Sequence, residues 1–340
     1  MKRKGDVSPP LRAGRALIHH DGALGDLLLS LPAIRIIRQR AHVVHTAGRA
    51  DVVRFLRDTG VVDDAMPSDH PLFLSLYGSD PDDRARTCVS SYDKVFVFTR
   101  NGESPLAESF RSIARDVQTI LTIPPDDHPV HCAVYRLRQL DSSLAGSADV
   151  SLPFLTIPDR ARREAGDFLV RCGFDGIKPL VAIHPGSGGK RKCWPVARFI
   201  ACLEHLERNA GVFPLIVTGP ADDEAAEVFE DFLRRTGLRA AHARKLDLMT
   251  IAALLAECSL YIGNDSGISH LASVVNGNVV AVFGPTDPRV WRPVGKGVRV
   301  VASDEPCAPC GDERSRICSE RTCLELINVG MVLEEASRFL

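Results

Sequence analysis

Short runs of consecutive apolar residues alternate along this chain with longer stretches in which apolar positions recur every three or four residues. The first pattern predicts strands buried on both faces and the second predicts amphipathic helices. ALIHH (16–20) reads as a strand, and a helical pattern follows from Leu27 to Arg38 with Pro32 inside it. An interior proline predicts a bend or a tight first turn there. AHVVHTAG (41–48) and DKVFVFTR (93–100) read as strands, RADVVRFLRDTG (49–60) and SFRSIARDVQTI (109–120) as helices. The segment 141–160, DSSLAGSADVSLPFLTIPDR, is rich in small residues and proline and reads as a boundary. The rhythm then returns. PLVAIHPG, VFPLIVTGP, LYIGND and VVAVFGPTD are strand-and-loop units, separated by helical patterns over 195–209, 221–237, 248–259 and 266–277. Alternation of this kind predicts an α/β protein with two doubly wound, Rossmann-like domains. We expect a flexible tail over 1–14, a first domain over 15–155 and a second over 156–340. Ligands in such sheets bind beyond the carboxyl ends of the strands. The chemistry is therefore expected in the loops after residues 20, 98, 183, 218, 262 and 283, at a cleft the two domains share.

Composition narrows the picture only a little. Of the 340 residues 45% are hydrophobic, enough for two ordinary cores, and the formal net charge is −1. That balance gives no global signature of a nucleic-acid partner. No apolar run is long enough for a membrane-spanning helix, and the basic start MKRKGDVSPPLRAG lacks the apolar stretch of a secretion signal. The expected location is cytoplasmic, which leaves room for peripheral contact with the inner membrane surface.

Four loops carry candidate chemistry. DGALGD (21–26) joins a strand to a helix, with Gly22 and Gly25 but without the G-x-G spacing of a dinucleotide fingerprint. Asp26 either caps that helix or stays ionised at its partly positive end, where it could take a proton from a sugar hydroxyl. HPGSGGKRKCWP (184–195) joins glycines that allow close backbone approach to Lys190, Arg191 and Lys192. This suits a diphosphate, although the ending of a Walker loop is absent; the plain alternative is a solvated basic loop. TGPADDE (218–224) ends a strand at a glycine, and its acidic residues either favour a helix start or bond ribose hydroxyls. GNDSGISH (263–270) places Asp265, Ser266 and Gly267 where a helix begins, with unpartnered amides and a dipole that suit an anion. Asp265 would repel an anion, so its use is to hold neutral hydroxyls or to cap the helix. His270, one turn along, faces either the anion or the core.

There are ten cysteines, of which Cys307, Cys310, Cys318 and Cys323 are clustered as C-x2-C-x7-C-x4-C. Four thiolates can hold zinc or iron tetrahedrally, though these spacings are not those of a standard zinc finger. Reduced, buried cysteines are the alternative reading.

GALGDLLLSLPAIRIIR, HPGSGGKRKCWP, GNDSGISHLAS and AVFGPTDPRVWRPVG, in this order, resemble glycosyltransferase family 9, the ADP-heptose:lipopolysaccharide heptosyltransferases. The resemblance covers roughly residues 15–335. It implies a GT-B architecture and inverting transfer of a heptose or related sugar by direct displacement. The ADP-activated donor would bind mainly the second domain, and a lipopolysaccharide-core or other glycan acceptor, free or lipid-linked, mainly the first. It implies Asp26 as general base, in the acceptor-side loop that also holds Gly22 and Gly25. Lys192 would neutralise the diphosphate, and Asp265 would hold donor-sugar hydroxyls. Ser187, Ser266, Gly267, Ile268 and His270 would line the donor phosphates, with Glu224, rather than Asp223, as the acidic nucleotide contact. No cofactor or metal is implied for catalysis, while relatives with similar cysteine clusters point to structural iron or zinc at the four cysteines. The chain departs from the family pattern at Cys193, at Ser266 where threonine is common, and in the loops 66–87 and 99–112. Two other classes stay open at this point: an NAD-dependent oxidoreductase with two Rossmann-like domains, and a non-catalytic nucleotide-sugar-binding homologue.

Overall fold

The computed structural model describes residues 13–78, 80–125, 129–141, 155–310 and 317–340. The chain divides into two compact units, one of residues 1–22 and 32–122, the other of residues 23–31 and 123–340.

The first unit is built on β1 (Ala13–His20), β2 (Ala41–Gly48), β3 (Asp64–Pro67), β4 (Lys94–Thr99) and β5 (Val117–Leu121). These strands form one sheet in the order β3-β2-β1-β4-β5, and all the pairings are parallel. Its core gathers Leu17, Phe73, Tyr92, Val95, Val97 and Phe110. The second unit carries β6 (Leu180–His184), β7 (Phe213–Thr218), β8 (Ala241–Arg244), β9 (Leu260–Asn264), β10 (Val279–Phe283) and β11 (Val298–Ala302). The order is β11-β10-β9-β6-β7-β8, again parallel throughout. Every residue of β6, β7, β9 and β10 is buried, which is why these strands read as unbroken apolar runs. In both sheets the strand order reverses beside the first strand, between β1 and β4 and between β6 and β9. Such a switch point leaves a crevice at the carboxyl ends of its two strands.

Several expectations change in detail. The first strand begins at Ala13, inside the segment expected to be tail, and residues 1–12 lie outside the described residues. The first helix runs Leu24–Arg40 with Pro32 in its interior, and the division between the two units within this helix falls at Pro32. Residues 109–120 are not one helix. A helix ends at Ile113 and β5 begins at Val117, where Val117, Thr119 and Ile120 are β-branched and favour a pleated surface. β3, β8 and β11 went unread because each mixes polar residues into a short run. Most of the expected boundary, residues 142–154, lies outside the described residues, and residues 123–140 belong with the second unit. The C-terminal helix Val329–Ala336 buries Val332 and Ala336 in the second unit's core, beside Trp194 and Phe199.

Candidate active site

The site grows from the loops that leave β6, β9 and β10. After β6, residues 185–189 lead into a single turn over Lys190–Lys192 and then into the helix Val196–Ala210. Asn264, at the end of β9 and fully buried, pins this loop. Its Oδ1 accepts from the Trp194 amide at 2.9 Å, and its Nδ2 donates to the carbonyls of Pro185 (2.8 Å) and Gly186 (3.2 Å). Trp194 fixes the other end, with its indole N–H donating to the Ile327 carbonyl at 2.9 Å and its ring edge-on to Phe199. Residues that sequence places far apart are thereby held together.

Asp265 is the centre of this arrangement, with a side chain only 7% exposed. Its Oδ2 accepts from Lys192 Nζ at 2.7 Å and from Thr286 Oγ1, on the loop after β10, at 2.6 Å. Ser187 Oγ donates to its main-chain oxygen at 2.6 Å. Ser266 is the N-cap of the helix Gly267–Val275 and accepts from the Ser269 amide at 3.3 Å. The first turn of that helix therefore presents amides and a positive dipole end beside a fixed ammonium and a fixed carboxylate.

The same helix start meets the start of the helix Leu24–Arg40. A Cβ on Gly25 would lie 3.0 Å from His270 Cδ2, and one on Gly267 would lie 3.3 Å from the Gly25 amide nitrogen. The absence of side chains at Gly25 and Gly267 lets the two helix starts pack this closely. Asp26, in the first turn, keeps 15% of its side chain exposed and pairs through Oδ1 with Arg136 Nη2 at 3.3 Å. Gly22, by contrast, belongs to the first unit, where its amide donates to His20 Nδ1 at 3.1 Å.

His270 is buried between these groups. Burial pushes its imidazole down to about 4, and the charge of Arg136 adds to that, while the carboxylates of Asp265 and Asp26 pull the other way. It is therefore a neutral hydrogen-bonding group near pH 7. The sign for stability follows. The unfolded chain takes up this proton near 6.5 and the folded chain only near 4, so stability present above pH 6.5 is lost as pH falls towards 4. The shift is worth on the order of 3 kcal/mol. Thermal melts at pH 7 and pH 4.5 should show a drop that is smaller by most of this amount in His270→Asn. Equal pH dependence in both proteins would contradict a buried neutral imidazole.

The sequence-predicted residues are brought together unequally. Asp26, Gly25, Lys192, Ser187, Asp265, Ser266, Gly267 and His270 share this region of the second unit. Ile268 lies half-buried beside them in the first turn. Glu224 stands apart from the Asp265 cluster, on an exposed ion pair with Lys190 at 2.9 Å, and Asp223 is taken by Arg244 and Lys245. Sequence reasoning missed three residues. Asn264 and Thr286 sat inside loops already singled out. Arg136 had one signal: a charged residue on the apolar face formed by Cys132, Ala133 and Leu137.

A family model described as glycosyltransferase family 9 (heptosyltransferase) matches residues 108–319. The chain belongs to glycosyltransferase family 9. Among family relatives it is similar to lipooligosaccharide heptosyltransferase 2 of Campylobacter jejuni, at 24% identity over 63% of this chain and 65% of that protein. It is also similar to lipopolysaccharide heptosyltransferase 3 of Escherichia coli, at 33% identity over 40% of each. These matches span roughly two fifths to two thirds of the relatives' lengths. The fold is that of a family 9 glycosyl transferase from Veillonella parvula (TM-score 0.75, 20% identity, 97% of this chain and 98% of that one). It is equally that of the E. coli ADP-heptose lipopolysaccharide heptosyltransferase II (TM-score 0.74, 17% identity, 96% and 98%). The GT-B class expected from the motifs is thus met. A third structure of this fold is the iron-containing dodecameric glycosyltransferase TibC of E. coli (TM-score 0.58, 15% identity, 96% and 76%).

Proposed function

We propose that this family 9 chain is an inverting glycosyltransferase that moves a heptose from an ADP-activated donor to a glycan hydroxyl. The observation that carries the proposal is the Asp265 cluster. One buried carboxylate is held by Lys192 and Thr286 at a helix N-terminus, and the same helix packs against the turn that holds Asp26. A nucleoside diphosphate sugar needs both signs of charge in one place. Its pyrophosphate wants a cation and unpartnered amides; its neutral sugar wants a carboxylate that accepts hydroxyl bonds.

In the proposed reaction the acceptor oxygen attacks the anomeric carbon opposite the leaving group. The carbon–oxygen bond to the diphosphate breaks, and ADP departs with the electron pair. Asp26 takes the acceptor proton, and Lys192 with the amides after Ser266 stabilises the charge that develops on the leaving phosphate. His270, neutral, donates or accepts a hydrogen bond without adding charge. Glu224, in the first turn of the helix Asp223–Thr236 and paired with Lys190, is assigned the nucleotide's ribose. The acceptor is a lipopolysaccharide-core or other glycan, met at the inner membrane surface when lipid-linked; no described helix is long and apolar enough to cross a membrane.

Cys307, Cys310, Cys318 and Cys323 line one cavity of about 370 Å³ together with Glu305 and Glu320. Burial first, and then the neighbouring thiols, push the Cys323 thiol up, so a cation there would be needed to hold thiolates. The soft donor set suits zinc or iron, although no three such ligands are gathered at binding distance among the described residues. We assign this cluster a structural role and route no step through it.

The oxidoreductase reading finds no support in the relatives, and the first turn lacks the glycine spacing that such a cofactor needs. A panel of nucleotide sugars tests the proposal. ADP and ADP-heptose should raise the melting temperature, by the equivalent of about 2.7 kcal/mol at a hundredfold excess over Kd. UDP- and GDP-sugars should do so less. Stabilisation by NAD(P)H with none by ADP-sugars would overturn it.

A further inference from the structure

Arg136 lies in the helix Cys132–Leu140 with none of its surface exposed. Its helix neighbours Cys132 and Ala133 pack against Leu29, Val290 and Val294, which closes this part of the helix off from water. A cation buried in this way is costly unless good hydrogen bonds hold it. Three of its bonds converge on one turn of the helix Leu24–Arg40. Nη1 donates to the Asp26 main-chain oxygen and, at 2.9 Å, to Ser30 Oγ. Nη2 donates to Asp26 Oδ1 at 3.3 Å. Ser30 Oγ in turn donates to the same Asp26 main-chain oxygen at 3.1 Å. Simple charge neutralisation would need only the carboxylate. Here one planar fork takes both the backbone and the side chain of a single residue, in a fixed geometry that a lysine ammonium does not supply.

We propose that Arg136 is a positioning residue for transfer: by gripping Asp26 at its main-chain oxygen and its carboxylate, it fixes the orientation in which that carboxylate meets the acceptor hydroxyl. The inference rests on the reading of Asp26 as the base. Exposure separates the roles. Asp26 is 15% exposed and within reach of a substrate; Arg136 is 0% exposed and reaches substrate only through Asp26. Ser30, also fully buried, braces the same turn.

The test uses the full chain with an ADP-sugar donor, and reads kcat, KM and the melting shift given by ADP. Arg136→Met should lower kcat by about 10²-fold, the scale expected when a reacting group is misplaced by about 1 Å. KM for the donor and the ADP melting shift should stay within about twofold of the wild type. Arg136→Lys should recover part of the loss, because one prong of the fork survives. Added guanidinium ion should restore Arg136→Ala in a saturable way and leave Asp26→Asn unaffected. The double variant Asp26→Asn/Arg136→Met should be no slower than Asp26→Asn alone, since the two residues act through one group. If the Met variant does not fold, the Lys variant decides. A folded Met or Lys variant with wild-type kcat overturns the proposal, as does a double variant slower than Asp26→Asn by the full factor of the single Arg136 change. Asp26→Asn at full rate would instead sink the reading of the base.

Discussion

Asp26→Asn is expected to slow transfer by about 10²- to 10⁴-fold while leaving the melting shift given by ADP unchanged. The substitution keeps the size of the side chain and its bond to Arg136 Nη2 but removes the group proposed to take the proton. Asp26 stands in a helix turn whose main-chain oxygen is already held by Arg136 and Ser30, so the backbone should not move. The proposed donor contacts, from Lys192 to Thr286, lie on other loops. Single-turnover assays with saturating donor would separate the chemical step from binding. Wild-type turnover in Asp26→Asn would remove this residue from the mechanism; loss of the ADP shift would mean that the variant had disturbed the donor loops instead.

Lys192→Met should cost about 10²- to 10³-fold in kcat, the range for removing one preorganised donor from a developing negative charge. Unlike the Asp26 variant, it should also weaken ADP binding. Asp265 makes the informative comparison, because its carboxylate shares one oxygen between Lys192 and Thr286 and is nearly buried. Asp265→Asn leaves the ammonium and the helix amides in place. It should therefore retain ADP affinity and lose discrimination between ADP-heptose and ADP-sugars that lack the bonded hydroxyls. Titrations of both variants with ADP and with ADP-heptose would check this. Equal losses for the two ligands in Asp265→Asn would show that the carboxylate serves the fold and not the sugar.

Much of the second unit can be read along the chain. LVAIH, LYIGN and VVAVF are buried at every position, and their polar residues His184 and Asn264 stand only at the strand ends, so the apolar run is not interrupted. The loops that follow them stand out because glycine, proline and aspartate interrupt an apolar run. The first unit is less legible. VQTIL in β5 has partly exposed positions, and it follows a helix so closely that the two merge into one apparent helical period. The half-exposed DAMP of β3 carries almost no pattern at all.

Pattern along the chain is enough for the alternation of strand and helix, for the candidate loops, and for the family whose motifs these are. Local pattern can do this because burial on both faces, helix capping and tight turns each depend on residues a few positions apart. The partnerships emerge from the fold: Lys192 with Asp265 across 73 positions, Arg136 with Asp26 across 110, and Asp265 with Thr286 from the next loop. Charges and hydrogen bonds act through space at about 3 Å, and no periodicity along the chain records which distant residue the fold will bring to that distance.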